Sequence, residues 1–237
     1  MTANVVSWIN ARKGLRSAEK SFRLLEFLSQ HSVQTVFIQE TAMTSNVDSV
    51  SLAGWKRIAQ FGALTAFSAL AVNEVKVRFS SNYFLALEFG GLLLGNVHLS
   101  AYRWQDRVEQ IRMIQEILGS NRLKRFIVGG DFNFAPLPQD GLYGGQPSRW
   151  THRIEREMYQ ETLRNLGATE YPTSTNGAYT YERDHRSNRL QFRCDFAFGN
   201  VPTQYISAKY DHGTRLGPAS FTDHSMVIIK LETLSCC

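Results

Sequence analysis

The sequence predicts an α/β fold, a two-sheet β-sandwich flanked by helices. Short apolar runs rich in β-branched and aromatic residues recur along the chain, roughly ten in all. Only three segments carry helical spacing. Strands therefore outnumber helices too heavily for the regular alternation of a doubly wound parallel sheet.

In chain order, Asn4–Trp8 reads as a buried strand. Ser17 is placed to cap a helix over Ala18–Gln30, with Phe22, Leu25 and Leu28 on one face. Thr35–Gln39 (TVFIQ) is a second buried strand. Ala66–Val72, Val75–Phe79, Phe84–Glu88 and Leu92–Leu99 follow as strands, with a turn at Gly90-Gly91. Trp104–Leu118 is helical, with Val108, Ile111, Ile114 and Leu118 in register and Gly119 as its stop. Phe126–Gly129 is a strand running into GGDFN, and Pro136–Ser148, rich in Gly and Pro, reads as a loop. A third helix is expected over Arg153–Leu166, then strands at Ala178–Glu182, Leu190–Phe198, Gln204–Tyr210 and Met226–Glu232.

A length of 237 residues with no linker, repeat or low-complexity tract is read as one domain over 1–237, its last few residues a flexible tail. A hydrophobic fraction of 43% against 20% charged residues supports a sizeable core and argues against intrinsic disorder as the starting reading. No apolar run approaches the ~20 residues of a membrane span. The first residues, MTANVVSWIN, show no basic and apolar leader pattern, so an intracellular protein, cytoplasmic or nuclear, is expected. Three cysteines, Cys194, Cys236 and Cys237, make neither a disulfide framework nor a zinc motif, and fit a reducing compartment. The terminal pair is read as a frayed tail in preference to a lipidation site. A formal net charge of +5 favours polyanions such as nucleic acid, anionic lipid or phosphorylated ligands.

Polar residues gather where strands end. Glu40 follows TVFIQ, Asp131 and Asn133 follow FIVGG, His98 lies near the end of LLLGNVHL, Asp195 lies in QFRCDFAF, and Asp223 and His224 precede MVIIKL. Sheet ends converge on one edge, where loops gather and sites form. Carboxylates and an amide are the oxygen ligands that Mg²⁺ requires, and no thiolate is expected beside them. Singly, each residue has a plain structural reading: Glu40 a loop charge, Asn133 a turn residue, His98 a satisfied sheet histidine. Their joint occurrence calls for another explanation.

The segments IQET (Ile38–Thr41), GGDFN (Gly129–Asn133), RCDFAF (Arg193–Phe198) and TDH (Thr222–His224) resemble, in order and separation, the signature of the endonuclease/exonuclease/phosphatase superfamily. The resemblance spans Asn10 to His224 and implies a four-layered α/β sandwich. It also implies a Mg²⁺-dependent phosphodiesterase, Mn²⁺ substituting, that cuts nucleic acid by in-line attack of water and works as a monomer on DNA. By position, Glu40 resembles the principal metal ligand with Asp223 as co-ligand. Asp131 resembles the group that positions and deprotonates the water, and Asn133 the amide that holds water or phosphate. His224 resembles the donor to the scissile phosphate, oriented by Asp195. The run WINARKG departs from the family's pattern, and Asn10 aligns with its asparagine near metal and phosphate. His98, in NVHLSAY, stands where AP and retrotransposon endonucleases place tyrosine, and resembles the pancreatic-type DNase, sphingomyelinase and tyrosyl-DNA phosphodiesterase branches. The stretch GLRSAEKSFRLLEFLSQHSVQTVFIQET, with GWKRI, resembles the retrotransposon domains instead, so the subfamily stays open.

Two basic patches are candidate nucleic-acid contacts. Arg12, Lys13, Arg16 and Lys20 follow the first strand; Arg183, Arg186, Arg189 and Arg193 lie in a hairpin leading into Asp195, and the hairpin at the matching place in the retrotransposon domains resembles a groove-inserting element. Arg103 and Arg107 are further candidates, Arg107 alternatively lying on the wet side of its helix. Two other functions compete: a phosphoesterase for inositol, sphingolipid or other small phosphoesters, and a degenerate nucleic-acid-binding homologue. The first lacks a clear apolar docking loop, and the second is disfavoured by the retained Asn133 and His224.

Overall fold

The computed structural model describes residues 4–11, 18–41, 52–69, 75–120, 125–171 and 179–232. Arg12, Lys13, Arg16, Ser17, Cys236 and Cys237 lie outside them. The first sheet holds β1 (Asn4–Asn10), β2 (Thr35–Gln39), β3 (Lys56–Phe61), β4 (Leu64–Ser68), β15 (Ile206–Asp211) and β16 (Met226–Leu231) in the order β15-β16-β1-β2-β4-β3. The second holds β5 (Val75–Ser80), β6 (Phe84–Phe89), β7 (Leu92–His98), β8 (Arg125–Asp131), β11 (Thr169–Glu170) and β14 (Asp195–Gly199) in the order β11-β14-β8-β7-β6-β5. A small third sheet, β10-β9-β13-β12, joins Gly141–Tyr143 (β9), Gln146–Pro147 (β10), Tyr181–His185 (β12) and Asn188–Phe192 (β13).

Each large sheet contains one parallel pair closed by a helical crossover. Helix α1 (Ala18–Gln30) joins β1 to β2, and α2 (Trp104–Ser120) joins β7 to β8. Helix α3 (Arg153–Leu166) packs beside α2. Strands covered on both faces need no polar side, which is why TVFIQ is buried throughout. Trp8, Phe37, Leu94, Ile127, Ala197 and Val227 fill the layer between the sheets. On the outer face of the first sheet, Leu24, Phe27 and Leu28 of α1 pack on Val36, Ile38 and Ile228. On the outer face of the second, Ile111, Ile114 and Leu118 of α2, with Tyr159 and Leu163 of α3, cover Val128, Phe196 and Phe198. The result is the expected four-layered α/β sandwich. Each fully buried Leu or Phe contributes about 2 kcal/mol.

Several local expectations change. Phe22 of α1 is 61% exposed, and Leu24 and Phe27 carry the buried face with Leu28. Helix α2 runs through Gly119 to Ser120. Lys56–Phe61, which the apolar pattern does not mark, is a strand at a sheet edge, with its charged Lys56 and Arg57 suited to that place. Pro136–Ser148 is not a plain loop but forms a single 3₁₀ turn and two short strands of the third sheet. The run Leu190–Phe198 is two strands rather than one. It breaks at Arg193-Cys194 because β13 pairs with β9 and β12, whereas β14 pairs with β8 and β11. Among the described residues there are sixteen strands and three α-helices, and no helix is long and apolar enough to cross a membrane.

Candidate active site

Pairing register assembles the site. In the second sheet, His98 pairs with Asp131 across β7 and β8, and Asp131 pairs with Asp195 across β8 and β14. The three side chains thus share one rung and one face. Strand parity says which face: Ile127, four residues before Asp131, and Ala197, two residues after Asp195, lie in the inter-sheet layer, so Asp131 and Asp195 point toward the first sheet. In that sheet Trp8 also faces inward, and two residues later Asn10 does the same. Asn10 Nδ2 crosses the gap to Asp131 Oδ2 at 2.9 Å and lies 3.5 Å from Glu40 Oε1. The two sheets are stitched beneath the site. Gln39 Nε2 donates to Asn96 Oδ1, and Trp8 Nε1 donates to the Gly95 carbonyl at 2.8 Å.

The GGD run is required by this close approach. A Cβ on Gly129 meets the Trp8 ring at 2.7 Å, and Gly130, at φ +138°, meets the Val97 carbonyl at 2.1 Å. Asn133 and Glu40 both adopt the left-handed region, at φ +55° each. Such backbone in non-glycine residues is uncommon and concentrates at functional sites. The turn lets the Asn133 backbone N–H donate to Asp131 Oδ1 at 2.8 Å, while its Nδ2 donates to the Leu99 carbonyl at 2.9 Å.

His224 reaches the rung from the segment before β16, which is antiparallel to β1 and so starts at the same edge. Its Nδ1 lies 2.9 Å from Asp195 Oδ2 and 3.9 Å from Asp131 Oδ2. The loop is tied down: Thr222 Oγ1 donates to the Asn10 carbonyl at 2.6 Å, and Thr214 Oγ1 to the His224 carbonyl at 2.9 Å. Thr180 Oγ1 accepts the Asp195 backbone N–H at 3.0 Å. Burial opposes a charge on His224, but the Asp195 and Asp131 carboxylates outweigh it and push the imidazole up to about 10. Burial also pushes Asp195 upward, opposed by the imidazolium.

An oxygen-rich corner lies beside this dyad. Glu40 Oε1 is 3.5 Å from His98 Nε2, and Asp131 Oδ2 is 4.0 Å from it. His98 Nε2 is buried with no hydrogen-bond partner among the described residues. Carboxylates from two sheets converging on an imidazole with an unsatisfied nitrogen fit a hard divalent cation with its coordinated waters. Asp223, half-buried, adjoins His224. An overlapping group that shares Asp131, with Cys194, Asp195 and His224, places one ligand atom of each within 4.8 Å of the others, all from buried residues. Cys194, which the sequence does not mark for the site, thus lies beside it as a thiol. Cys194 Sγ is 3.6 Å from Asp195 Oδ2 because the chain leaves β13 at that residue to change sheets. Burial, then the charges of Asp195 and Asp131, push the thiol well up.

Glu40, Asp131, Asn133, Cys194 and His224 line a cleft of about 790 Å³, together with Tyr102, Arg107, Trp150, Tyr181 and Arg183. Tyr102 is 94% and Trp150 53% exposed. Sequence spacing marks neither, since an exposed loop aromatic has no pattern. The Arg183–Arg189 stretch is the expected hairpin, with Arg186 and Ser187 at its tip in the left-handed region. Arg183, Arg186 and Arg189 are all exposed, and Arg189 pairs with Glu182 at 2.7 Å. Arg193 instead turns inward to Asp140 and Glu170. Arg107 is not on a wet face, although it borders the cleft. It is 4% exposed and paired with the fully buried Glu155, and it donates to the Ser100 carbonyl at 2.8 Å.

No family model matches the chain, and no curated protein matches it in sequence. Solved structures do match. An AP endonuclease from Archaeoglobus fulgidus superposes with a TM-score of 0.76 at 16% identity, covering 97% of this chain and all of that one. The endonuclease domain of TRAS1, a telomere-specific non-LTR retrotransposon, gives 0.67 at 15% identity over 98% of this chain and all of that one. A 3′-5′ exonuclease, NExo, from Neisseria meningitidis gives 0.72 at 16% over 97% and 100%. NExo is also described as a 3′ phosphatase bound to a product DNA hairpin.

Proposed function

We propose that this chain, which has the DNase-like α/β-sandwich fold, is a divalent-metal-dependent phosphodiesterase acting on DNA. The carrying observation is the convergence of Asn10, Glu40, His98, Asp131, Asp195 and His224 from both sheets, with Glu40, Asp131 and His224 lining one cleft. Glu40 with Asp223 and Asn10 would hold Mg²⁺, which when bound offsets the charge on the phosphate and the leaving oxygen. Asp131 is held by Asn10 and by the Asn133 N–H, which leaves carboxylate lone pairs to orient an attacking water and take its proton. The water oxygen then bonds phosphorus as the opposite P–O bond breaks. Asn133 and His98 border the same space and supply polar contacts to water or phosphate. His224, held cationic by Asp195, donates toward the phosphate oxygens as charge grows there. Arg183 and the hairpin tip, with the net positive charge, suit the DNA backbone. The names of the structural neighbours support DNA as substrate, and NExo's phosphatase description makes a 3′ phosphomonoester a substrate to include. One domain acting as a monomer suffices for this reading.

The experiment is incubation with supercoiled plasmid, abasic duplex, single strands and a phosphomonoester panel, each with Mg²⁺ or with EDTA. Cleavage of DNA in Mg²⁺, abolished by EDTA and restored by Mg²⁺ or Mn²⁺, is expected. Full activity in chelator overturns the metal assignment. Turnover confined to small phosphoesters overturns DNA as the substrate.

A further inference from the structure

We propose that Cys194, with Asp131, Asp195 and His224, forms a second cation site selective for a thiophilic ion such as Zn²⁺, and that its occupation shuts the active site. The donor set carries the argument. One sulfur, one nitrogen and two carboxylate oxygens lie within 4.8 Å of one another, close enough to contract onto one tetrahedral ion. The site differs from the corner around Glu40 in its donors. Mg²⁺ takes oxygen ligands and leaves thiolates alone, whereas Zn²⁺ favours sulfur and imidazole. Access exists, because Asp131, Cys194 and His224 all line the cleft.

Binding exchanges protons for the ion. The Cys194 S–H proton and the His224 Nδ1 proton leave to solvent as the sulfur and nitrogen lone pairs turn to the metal. The Asp195 oxygen that faced the imidazole becomes a ligand. The ion then takes the place of the proton that joins His224 to Asp195, so the imidazole is fixed to the metal, and Asp131 has fewer lone pairs for a water. A thiophilic ion would therefore act on the residues that move protons, through donors of which the Glu40 corner shares Asp131 alone. The binding half stands without any assumption about activity; the inhibitory half rests on the hydrolase reading.

The test starts from a Cys236→Ser/Cys237→Ser background, in which Cys194 is the remaining thiol. Cd²⁺ is titrated in excess Mg²⁺ while the ultraviolet thiolate-to-metal band is followed. A saturable band with a single Cd²⁺ per chain is expected, lost in Cys194→Ser and in Cys194→Ala, with thermal melts establishing that each variant is folded. No band, or one that survives both substitutions, overturns the site. In parallel, Zn²⁺ inhibition of DNA cleavage is measured at saturating Mg²⁺. Inhibition should need at least ~10-fold more Zn²⁺ in Cys194→Ser, the scale of losing one soft ligand, while cleavage in Mg²⁺ alone persists. Equal Zn²⁺ sensitivity overturns the inhibitory role. Absence of cleavage in every chain sinks the hydrolase reading and the inhibitory half together, while the Cd²⁺ band still decides the site.

Discussion

At the scale of single residues, the His224–Asp195 pair is where the physical argument is sharpest. Two buried groups lie 2.9 Å apart, and the carboxylates of Asp195 and Asp131 keep the imidazole cationic far above its ordinary 6.5. The pair should behave as one unit. His224→Ala is expected to slow the chemical step by at least ~10²-fold, the scale of losing one preorganised donor. Asp195→Asn should cost a comparable factor, and the double variant little more than either alone, since an aspartate with no imidazole has nothing to orient. Single-turnover rates in a double-mutant cycle measure this, with melts as the folding control. Losses that multiply would show two independent residues. Asp195 and His224 are legible in RCDFAF and TDH; Cys194 stands in the same hexapeptide with no metal-motif spacing to mark it. Adjacent residues in a strand point to opposite faces, and only the break between β13 and β14 brings the thiol round to its neighbour's carboxylate.

At the scale of elements, the β12–β13 hairpin joins cationic surface to a rigid base. Arg215 bonds Glu182 at 2.8 Å, Ser225 Oγ at 2.9 Å and the Tyr179 carbonyl at 2.6 Å, tying the hairpin to the strand that follows His224. Burial raises Glu182, but Gln191, Arg189 and Arg215 outweigh it and lower its pKa to about 2 from an ordinary 4.5. A depressed carboxylate stabilises the fold above its unfolded value and loses that contribution as pH falls. Wild type should therefore melt higher than Glu182→Gln at pH 6, and the gap should close between about 4.5 and 2. A gap constant with pH would remove the ion pairs from the account. The hairpin's outer arginines serve the substrate. Arg183→Ala and Arg186→Ala should each flatten the salt dependence of DNA binding by about one unit. Arg189→Ala should do less, because Glu182 already holds that guanidinium. An unchanged slope in the Arg183 and Arg186 variants would take the hairpin out of the interface.

For the molecule as a whole, the outer helical layer sets the shape of the cleft. Arg107 on α2 pairs with Glu155 on α3 and donates to the Ser100 carbonyl, in the loop between β7 and α2. Glu155 also accepts the His152 backbone N–H at the start of α3. Removing Arg107 leaves a buried carboxylate without its partner, a change that costs about 3–5 kcal/mol. Arg107→Ala should therefore lower stability by that order in denaturant titrations. Any folded protein that remains should keep the salt slope of DNA binding. A flattened slope with unchanged stability would return Arg107 to the role of phosphate contact.

By itself the sequence determined the alternation of elements, the fold class and the polar residues at strand ends, because each is written locally. Buried strands need continuous apolar runs, helices need a 3.6-residue period, and GGDFN needs glycines where Trp8 and Val97 press close. The tertiary structure alone decided what depends on register and on which sheet a strand joins. It put His98, Asp131 and Asp195 on one rung. It turned Arg107 and Arg193 inward to carboxylates while leaving Arg183 and Arg186 outside. It also brought a thiol to the dyad. Pairing between residues far apart in the chain carries no local signal, since the same dipeptide faces a carboxylate or solvent according to its partner strand.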